Sequence, residues 1–398
     1  MHSKKAICSI LWRIVKSFFQ IYGYVLFGKR PDVIFCYPQN FNRSEDGTNP
    51  YMDTLMTTCQ EANISYRVFE LTEVGIPQPQ NKDAVKLDFM YWHYVVLSKV
   101  MTMLFPAMKK QRQCKLIYRF IDALTFRKFH VHRCVTIAGM MAEFFIVIHP
   151  QGIVYDLQHG IIYQGHPGYF EDDHVAKVFR PANSRIMVWG SLYRDSFKQY
   201  LSANEWNAKI HVVGYPLVSG HPQNENGIKS KILISLQLTS DADREVLKEM
   251  LRQIEEAIES LKGSGLEVLL KHHPRFNGAI DLSGLYEKYP FAKETRATLQ
   301  ELAPNTFLHL TLNSTTCFEY ANYKVPTYFI KDEILGTGRK IFKEMYKYPL
   351  YWDMSLEEVM KRIAVIDNYK QDCAMVKAWY DNAYAPYNKE EVVRLLKS

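Results

Sequence analysis

Twice along the chain, short apolar runs alternate with helical stretches and polar loops. One stretch rich in Gly, Pro, Asn and Ser, residues 217–229, separates the two series. Before it come runs at 32–37, 66–70, 153–157, 185–190 and 210–214; after it come runs at 231–236, 267–270, 307–312 and 325–330. Near-continuous apolar strands separated by helices belong to a parallel sheet covered on both faces. The expected fold is therefore α/β, with two Rossmann-like domains facing a central cleft. The length of 398 residues agrees, since it exceeds what one core usually organises. The expected boundaries are a basic amphipathic segment at 1–30, a first domain at 31–216, the linker at 217–229, a second domain at 230–375 and a C-terminal helix at 376–398.

The net charge of +7 is unevenly spread. Residues 1–30 carry Lys4, Lys5, Arg13, Lys16, Lys29 and Arg30 with no acid, and residues 99–133 carry nine Lys or Arg against Asp122 alone. Zinc-finger spacing and RNP-like motifs are missing, so nucleic acid is not an expected partner. Both basic segments are also rich in large apolar residues, such as Trp12, Phe19, Leu104 and Phe105, which suits an anionic membrane surface. Only residues 17–27 of the first segment are uncharged, too few to span a bilayer. An interfacial helix fits the first segment, and so does a partly buried first helix of the domain. For 91–133 the alternative is a pair of helices with one solvated basic face. The seven cysteines are scattered without a CxxC pair, as expected of reduced thiols in the cytosol, with no zinc site. The expected location is cytoplasmic, peripheral on the inner face of the plasma membrane.

The strand expected at 267–270 ends in Lys271, His272, His273, Pro274 and Arg275. Ligands of open α/β sheets bind at the carboxyl ends of strands, and a cluster of potential cations there suits an anion, above all phosphate. The alternative is a solvated turn. About forty residues on, Asn313, Ser314, Thr315 and Thr316 follow another strand and are helix-capping types, so the helix they open offers backbone N–H groups to an anion. Glu319 in that helix is placed to accept bonds from ribose hydroxyls. Ser235 and Gln237, at the end of the strand expected at 231–236, complete the candidate donor-binding set. In the first domain, Gln158, His159 and Gly160 follow the strand expected at 153–157. Imidazole there can accept a proton near neutral pH, and glycine lets a ligand approach the backbone. Glu45 and Asp46, before Gly47, are the rival carboxylates.

On these residues the sequence resembles the GT-B glycosyltransferases of bacterial surface polysaccharide synthesis, such as capsule and lipopolysaccharide. His273-Pro274 is similar to their HP motif and Ser314-Thr315 to their Ser/Thr pair. That combination is found in bacterial sialyltransferases, capsule-type Kdo transferases and the polyol-phosphate transferases of teichoic acid synthesis. Gln158-His159-Gly160 resembles the His-Gly motif of the teichoic acid and capsule groups. Trp189-Gly190 and Val213-Gly214-Tyr215-Pro216 resemble their strand ends. Ile161, Ile162 and Tyr163 do not reproduce the longer teichoic acid signature, and Glu45-Asp46-Gly47 is the only counterpart of the sialyltransferase acidic motif. The resemblance implies a GT-B fold and an inverting, metal-independent transferase. His159 would be the base, with Asp46 as the alternative. The donor would be a CMP-, CDP- or UDP-activated sugar and the acceptor a surface glycan or a lipid-linked one. No cofactor is expected, the nucleotide sugar being a co-substrate. Alternatives are polyol-phosphate transfer, nucleotide-sugar 2-epimerisation and a non-catalytic polysaccharide-assembly role.

Overall fold

The computed structural model describes residues 2–73, 76, 78–139, 141–163, 165–217, 229–239, 243–273, 276, 280–330 and 340–397, with only the backbone described at 2–9 and 382. It divides into two compact units, Met1–Leu217 with Ala385–Ser398, and Val218–Tyr384. Most of the expected linker, 218–228, lies outside the described residues.

The strands of the first unit are β1 (Val33–Pro38), β2 (Tyr66–Leu71), β3 (Val85–Lys86), β4 (Arg133–Ile137), β5 (Ile153–Leu157), β6 (Phe170–Glu171), β7 (His174–Val175), β8 (Ser184–Val188) and β9 (Ile210–Val212). Seven of them form a sheet in the order β3-β2-β1-β4-β5-β8-β9, and every pairing in it is parallel. β6 and β7 make a separate antiparallel hairpin. The helices are α1 (His2–Phe27), α2 (Pro50–Glu61), α3 (Asp88–Leu104), α4 (Lys110–Leu124), α5 (Ala142–Ile148), α6 (Ser191–Asp195) and α7 (Ala203–Lys209). Every residue of β1 is buried, and alternate side chains serve opposite cores, as period-2 geometry requires. Ile34 and Cys36 meet α1, α4 and α5 through Ile21, Tyr24, Ile117 and Phe145. Val33, Phe35 and Tyr37 meet Met52, Leu55 and Cys59 of α2 on the other face.

Strand order reverses between β1 and β4, which makes their carboxyl ends the switch point where such sheets bind ligands. The rim beside it is held by a buried carboxylate. Glu70 accepts hydrogen bonds from Asn42 Nδ2 (2.6 Å) and the Asn81 N–H (3.0 Å) and pairs with Lys86 Nζ at 2.5 Å. Burial pulls the Lys86 ammonium below its ordinary pKa, and the Glu70 charge opposes that.

The second unit repeats the plan on a smaller scale. Strands β10 (Lys231–Leu236), β11 (Glu267–His272), β12 (Ala292–Glu294), β13 (Thr306–Thr311) and β14 (Thr327–Phe329) lie parallel in the order β12-β11-β10-β13-β14. Its helices are α8 (Arg244–Ser260), α9 (Ser283–Lys288), α10 (Leu299–Leu302), α11 (Thr316–Asn322), α12 (Leu356–Ile363) and α13 (Ile366–Ala383). The switch point is between β10 and β13.

Of the two readings of the first segment, the partly buried first helix fits α1, since Ser17, Ile21, Tyr24 and Val25 are buried and the Ser17 hydroxyl donates to the Lys86 carbonyl at 2.6 Å. One expectation about the chain ends changes. Residues 376–398 are not one helix. α13 ends at Ala383, Pro386 intervenes where a continuing helix would need its N–H, and α14 (Lys389–Leu396) buries Val392, Leu395 and Leu396 in the first unit beside Phe35 and Tyr155. The returning segment runs along the end of β9, where the Asn388 N–H donates to the Val213 carbonyl (2.9 Å) and the Tyr215 N–H to the Ala385 carbonyl (3.1 Å). Gly214 makes this possible. Its φ is +79°, and a Cβ there would lie 2.1 Å from the Pro386 carbonyl oxygen.

Candidate functional site

In the first unit the candidate groups gather at the ends of β1, β4 and β5. β5 reads Ile-Val-Tyr-Asp-Leu, and Asp156 is a carboxylate inside a buried apolar strand. Its Oδ1 accepts the Gly139 N–H at 2.7 Å and lies 3.2 Å from the Thr136 hydroxyl, while the Tyr169 hydroxyl donates to Oδ2 at 3.5 Å. Burial raises its pKa to about 7, with those three hydrogen bonds opposing the rise. The loop it holds is tightly wound, since Ala138, Gly139 and Met141 all have left-handed φ near +60°.

Next along the chain, the Gln158 side chain is consumed by structure. Nε2 donates to the Gly160 carbonyl (2.8 Å) and Oε1 accepts the Trp189 N–H (2.8 Å), tying the end of β5 to that of β8. His159 is half-buried, and its ring meets Phe41 edge-on with centroids 5.0 Å apart. Phe41 closes the short 3₁₀ turn after β1, so this imidazole lies beside the switch point. A Cβ on Gly160 would meet nothing within 4 Å, so the glycine faces open space.

The rival carboxylates stand differently. Asp46 is exposed and ion-paired to Lys82 at 2.6 Å, which holds its carboxyl below the ordinary carboxylate range. Glu45 beside it is exposed. Gly47 has φ +75°, and a Cβ there would come within 2.2 Å of the Gln80 backbone. The Glu45-Asp46-Gly47 turn is thus accounted for by packing and a surface ion pair.

In the second unit, Ser235, Gln237, Ser314 and Thr316 of the expected donor set lie in one hydrogen-bonded cluster with His309 and Asn313. Ser235 Oγ lies 2.9 Å from His309 Nε2 and 3.3 Å from Thr316 Oγ1, and the Thr316 hydroxyl donates to Ser314 Oγ at 2.9 Å. His309 Nδ1 lies 3.0 Å from the Thr327 hydroxyl, and the ring stacks on Tyr320 at 4.4 Å. The imidazole is fully buried, which lowers its pKa to about 3 and keeps it neutral.

This convergence corrects the expected anion site. The Asn313 N–H donates to Gln237 Oε1 (3.0 Å), the Ser314 N–H to the Thr311 hydroxyl (3.1 Å) and the Thr316 N–H to Ser314 Oγ (3.3 Å). Three N–H groups expected to be open are therefore bonded within the unit. Lys271 likewise donates to the Ala297 carbonyl at 2.6 Å, and burial depresses its pKa. His273, Thr315 and Glu319 are half-buried. Pro274 and Arg275 lie outside the described residues. Asp156 and His309 were missed from sequence; their only signal is one polar residue inside an otherwise apolar strand run.

No protein-family model and no curated protein sequence matches the chain. Solved structures do. The wall teichoic acid polymerase TagF matches over 99% of this chain and 96% of its own, with 15% identity and a TM-score of 0.53. A UDP-N-acetylglucosamine 2-epimerase matches over 92% of this chain and 94% of its own, with 13% identity and a TM-score of 0.52. The fold is GT-B. At this identity the likeness establishes the architecture of the GT-B chain and nothing of its chemistry.

Proposed function

We propose that this GT-B chain is an inverting, metal-independent glycosyltransferase using a nucleotide-activated sugar. The reading rests on the half-buried His159 imidazole at the switch point of the first unit, with the buried Asp156 carboxyl three residues before it. In this mechanism His159 takes the proton of an acceptor hydroxyl as the oxygen bonds to the anomeric carbon. The bond from that carbon to the nucleotide phosphate breaks, and the nucleotide leaves as an anion. The second unit holds that nucleotide through His273, Arg275 and Thr315. Ser235, Gln237, Ser314 and Thr316 shape the loop that carries Thr315. The acceptor is a surface glycan or a lipid-linked glycan. Polyol-phosphate transfer would use the same base with attack at phosphorus.

A second reading, nucleotide-sugar 2-epimerisation, is favoured by the near-equal match to the epimerase fold. Incubation with UDP-, CDP- and CMP-sugars separates the two. Donor turnover that needs an added glycan acceptor supports transfer; a 2-epimer formed from the nucleotide sugar alone overturns it. The productive nucleotide should also raise the melting temperature in proportion to its affinity, and a flat response to all three nucleotides counts against both readings.

A further inference from the structure

Helix α1 is apolar on both sides. The face carrying Ile21, Tyr24 and Val25 is core, while Leu11, Trp12, Val15, Phe19 and Leu26 are exposed. α3 packs beside it, with Phe89 edge-on to Phe18 at 5.0 Å, and α4 packs beside α3, with Tyr94 stacked on Tyr118 at 5.2 Å. These two helices also expose large apolar side chains, Trp92 and Val100 on α3 and Leu116 and Phe120 on α4. At the C-terminal end of α3 Met103, Leu104 and Phe105 are consecutive and exposed, Met103 by 72%. Elsewhere, among the described residues, the large apolar residues exposed are Phe126, in the turn after α4, and Val365, Ile366 and Met375. Apolar surface so concentrated on three adjacent helices marks something that covers it.

Charge identifies the cover. Directly after the apolar tip come Lys109, Lys110 and Arg112, all exposed, and Lys115 and Arg119 continue along α4. Lys110, Lys115 and Arg119 line a groove of about 820 Å³ together with Lys177, Glu143 and Glu171. The nearby acids have partners of their own, Asp88 with Arg13 at 3.1 Å, Asp122 with His130 at 2.9 Å and Glu171 with Lys177 at 3.6 Å, while Glu143 accepts from the Tyr118 hydroxyl at 3.5 Å. A second copy placed against this face would set like charges together. Among the described residues no helix is long and apolar enough to cross a membrane. An apolar tip ringed by cations instead suits the boundary between acyl chains and phosphate headgroups.

We infer that the surface formed by α1, α3, α4 and the 103–112 turn docks in the plane of a bilayer bearing anionic phospholipids. Met103, Leu104 and Phe105 enter the acyl region, and Lys109, Lys110 and Arg112 meet the phosphates. Nothing in this inference depends on the transferase reading. The test is sedimentation of the full chain with vesicles of phosphatidylcholine alone and of an equimolar mixture with phosphatidylglycerol. The chain should sediment with the mixed vesicles and be released as salt rises. The joint change Met103→Asp, Leu104→Asp and Phe105→Asp, and separately Lys109→Glu, Lys110→Glu and Arg112→Glu, should each weaken binding by roughly tenfold or more. Both sets alter exposed residues, so melting temperatures should stay unchanged, and Val365→Asp with Ile366→Asp in the second unit should bind as the parent does. Equal binding to the two vesicle types, or undiminished binding by both triple variants, would overturn the inference. So would a lipid-free dimer that the tip variant dissolves, since a second copy would then cover the face.

Discussion

The two units share one strand order yet finish their outsides in opposite ways. Helix α8 of the second unit is a solvated helix. Leu247, Met250, Ile254 and Ile258 face the core, and Arg252 pairs along the outer surface with Glu249 and Glu256. Among its described side chains, helix α1 of the first unit instead exposes Leu11, Trp12, Val15, Phe19 and Leu26. Their strand ends differ as well. The first unit buries a carboxylic acid, Asp156, and the second buries a neutral imidazole, His309. A Rossmann sheet thus dictates where side chains converge and leaves open which proton-bearing group occupies the spot.

The sharpest way to break this contrast is kinetic. On the proposed transferase reading, His159→Ala should lower turnover by about 10²–10⁴ while nucleotide affinity stays near that of the parent. His273→Ala should instead weaken nucleotide binding, by roughly 1.5–3 kcal/mol. Steady-state rates and calorimetric titration of both variants decide the matter, and equal losses of affinity would erase the division of labour.

Next in size is a stability effect confined to the first unit. Glu70→Ala strands the buried Lys86 ammonium and should cost about 3–5 kcal/mol. Hydrogen exchange should then quicken in β1, β2 and β3 and remain slow in β10 and β13. Loss of protection in both units together would show that they unfold as one.

Acid and base should pull the units in opposite directions. The folded pKa of Asp156, about 7, lies above its ordinary 3.8, so the folded state binds the proton more tightly. The corresponding stability is complete at acid pH and is lost as pH rises through 7. The folded pKa of His309, about 3, lies below its ordinary 6.5, so its contribution is complete above 6.5 and is lost as pH falls towards 3. Relative to the parent, Asp156→Asn should therefore gain melting temperature as pH rises, and His309→Gln should gain it as pH falls. The smallest effect expected is that of Arg252→Ala on α8, a barely measurable loss in urea unfolding, because Arg252 and Glu256 are exposed and Glu249 is only half-buried.

Strands buried on both faces were the most legible part of the fold. β5 and β10 occupy the residues expected of them, because continuous apolar runs between polar loops leave little choice. Position along a strand also placed His159 and Ser235 at sheet ends. Pairings across long separations were illegible. Asp46 finds Lys82 thirty-six residues away, and the Asn313 N–H finds Gln237 seventy-six away, so an apparent acid motif and an apparent open helix end are both already satisfied. β12, whose Lys293 and Glu294 are exposed, has no apolar pattern to betray an edge strand. Gly214 looked like the end of a strand, and only the returning backbone at Pro386 explains why no side chain fits there.

That return has a consequence for how the protein is made. The first unit is interrupted at Leu217 and resumes at Ala385, and α14, which seals the core around Phe35 and Tyr155, belongs to the resumed part. A ribosome making this chain releases the second unit whole before the helix that completes the first. During that interval the nascent sheet keeps Val33, Phe35 and Tyr155 without their final cover, so chaperone capture and aggregation should concentrate there.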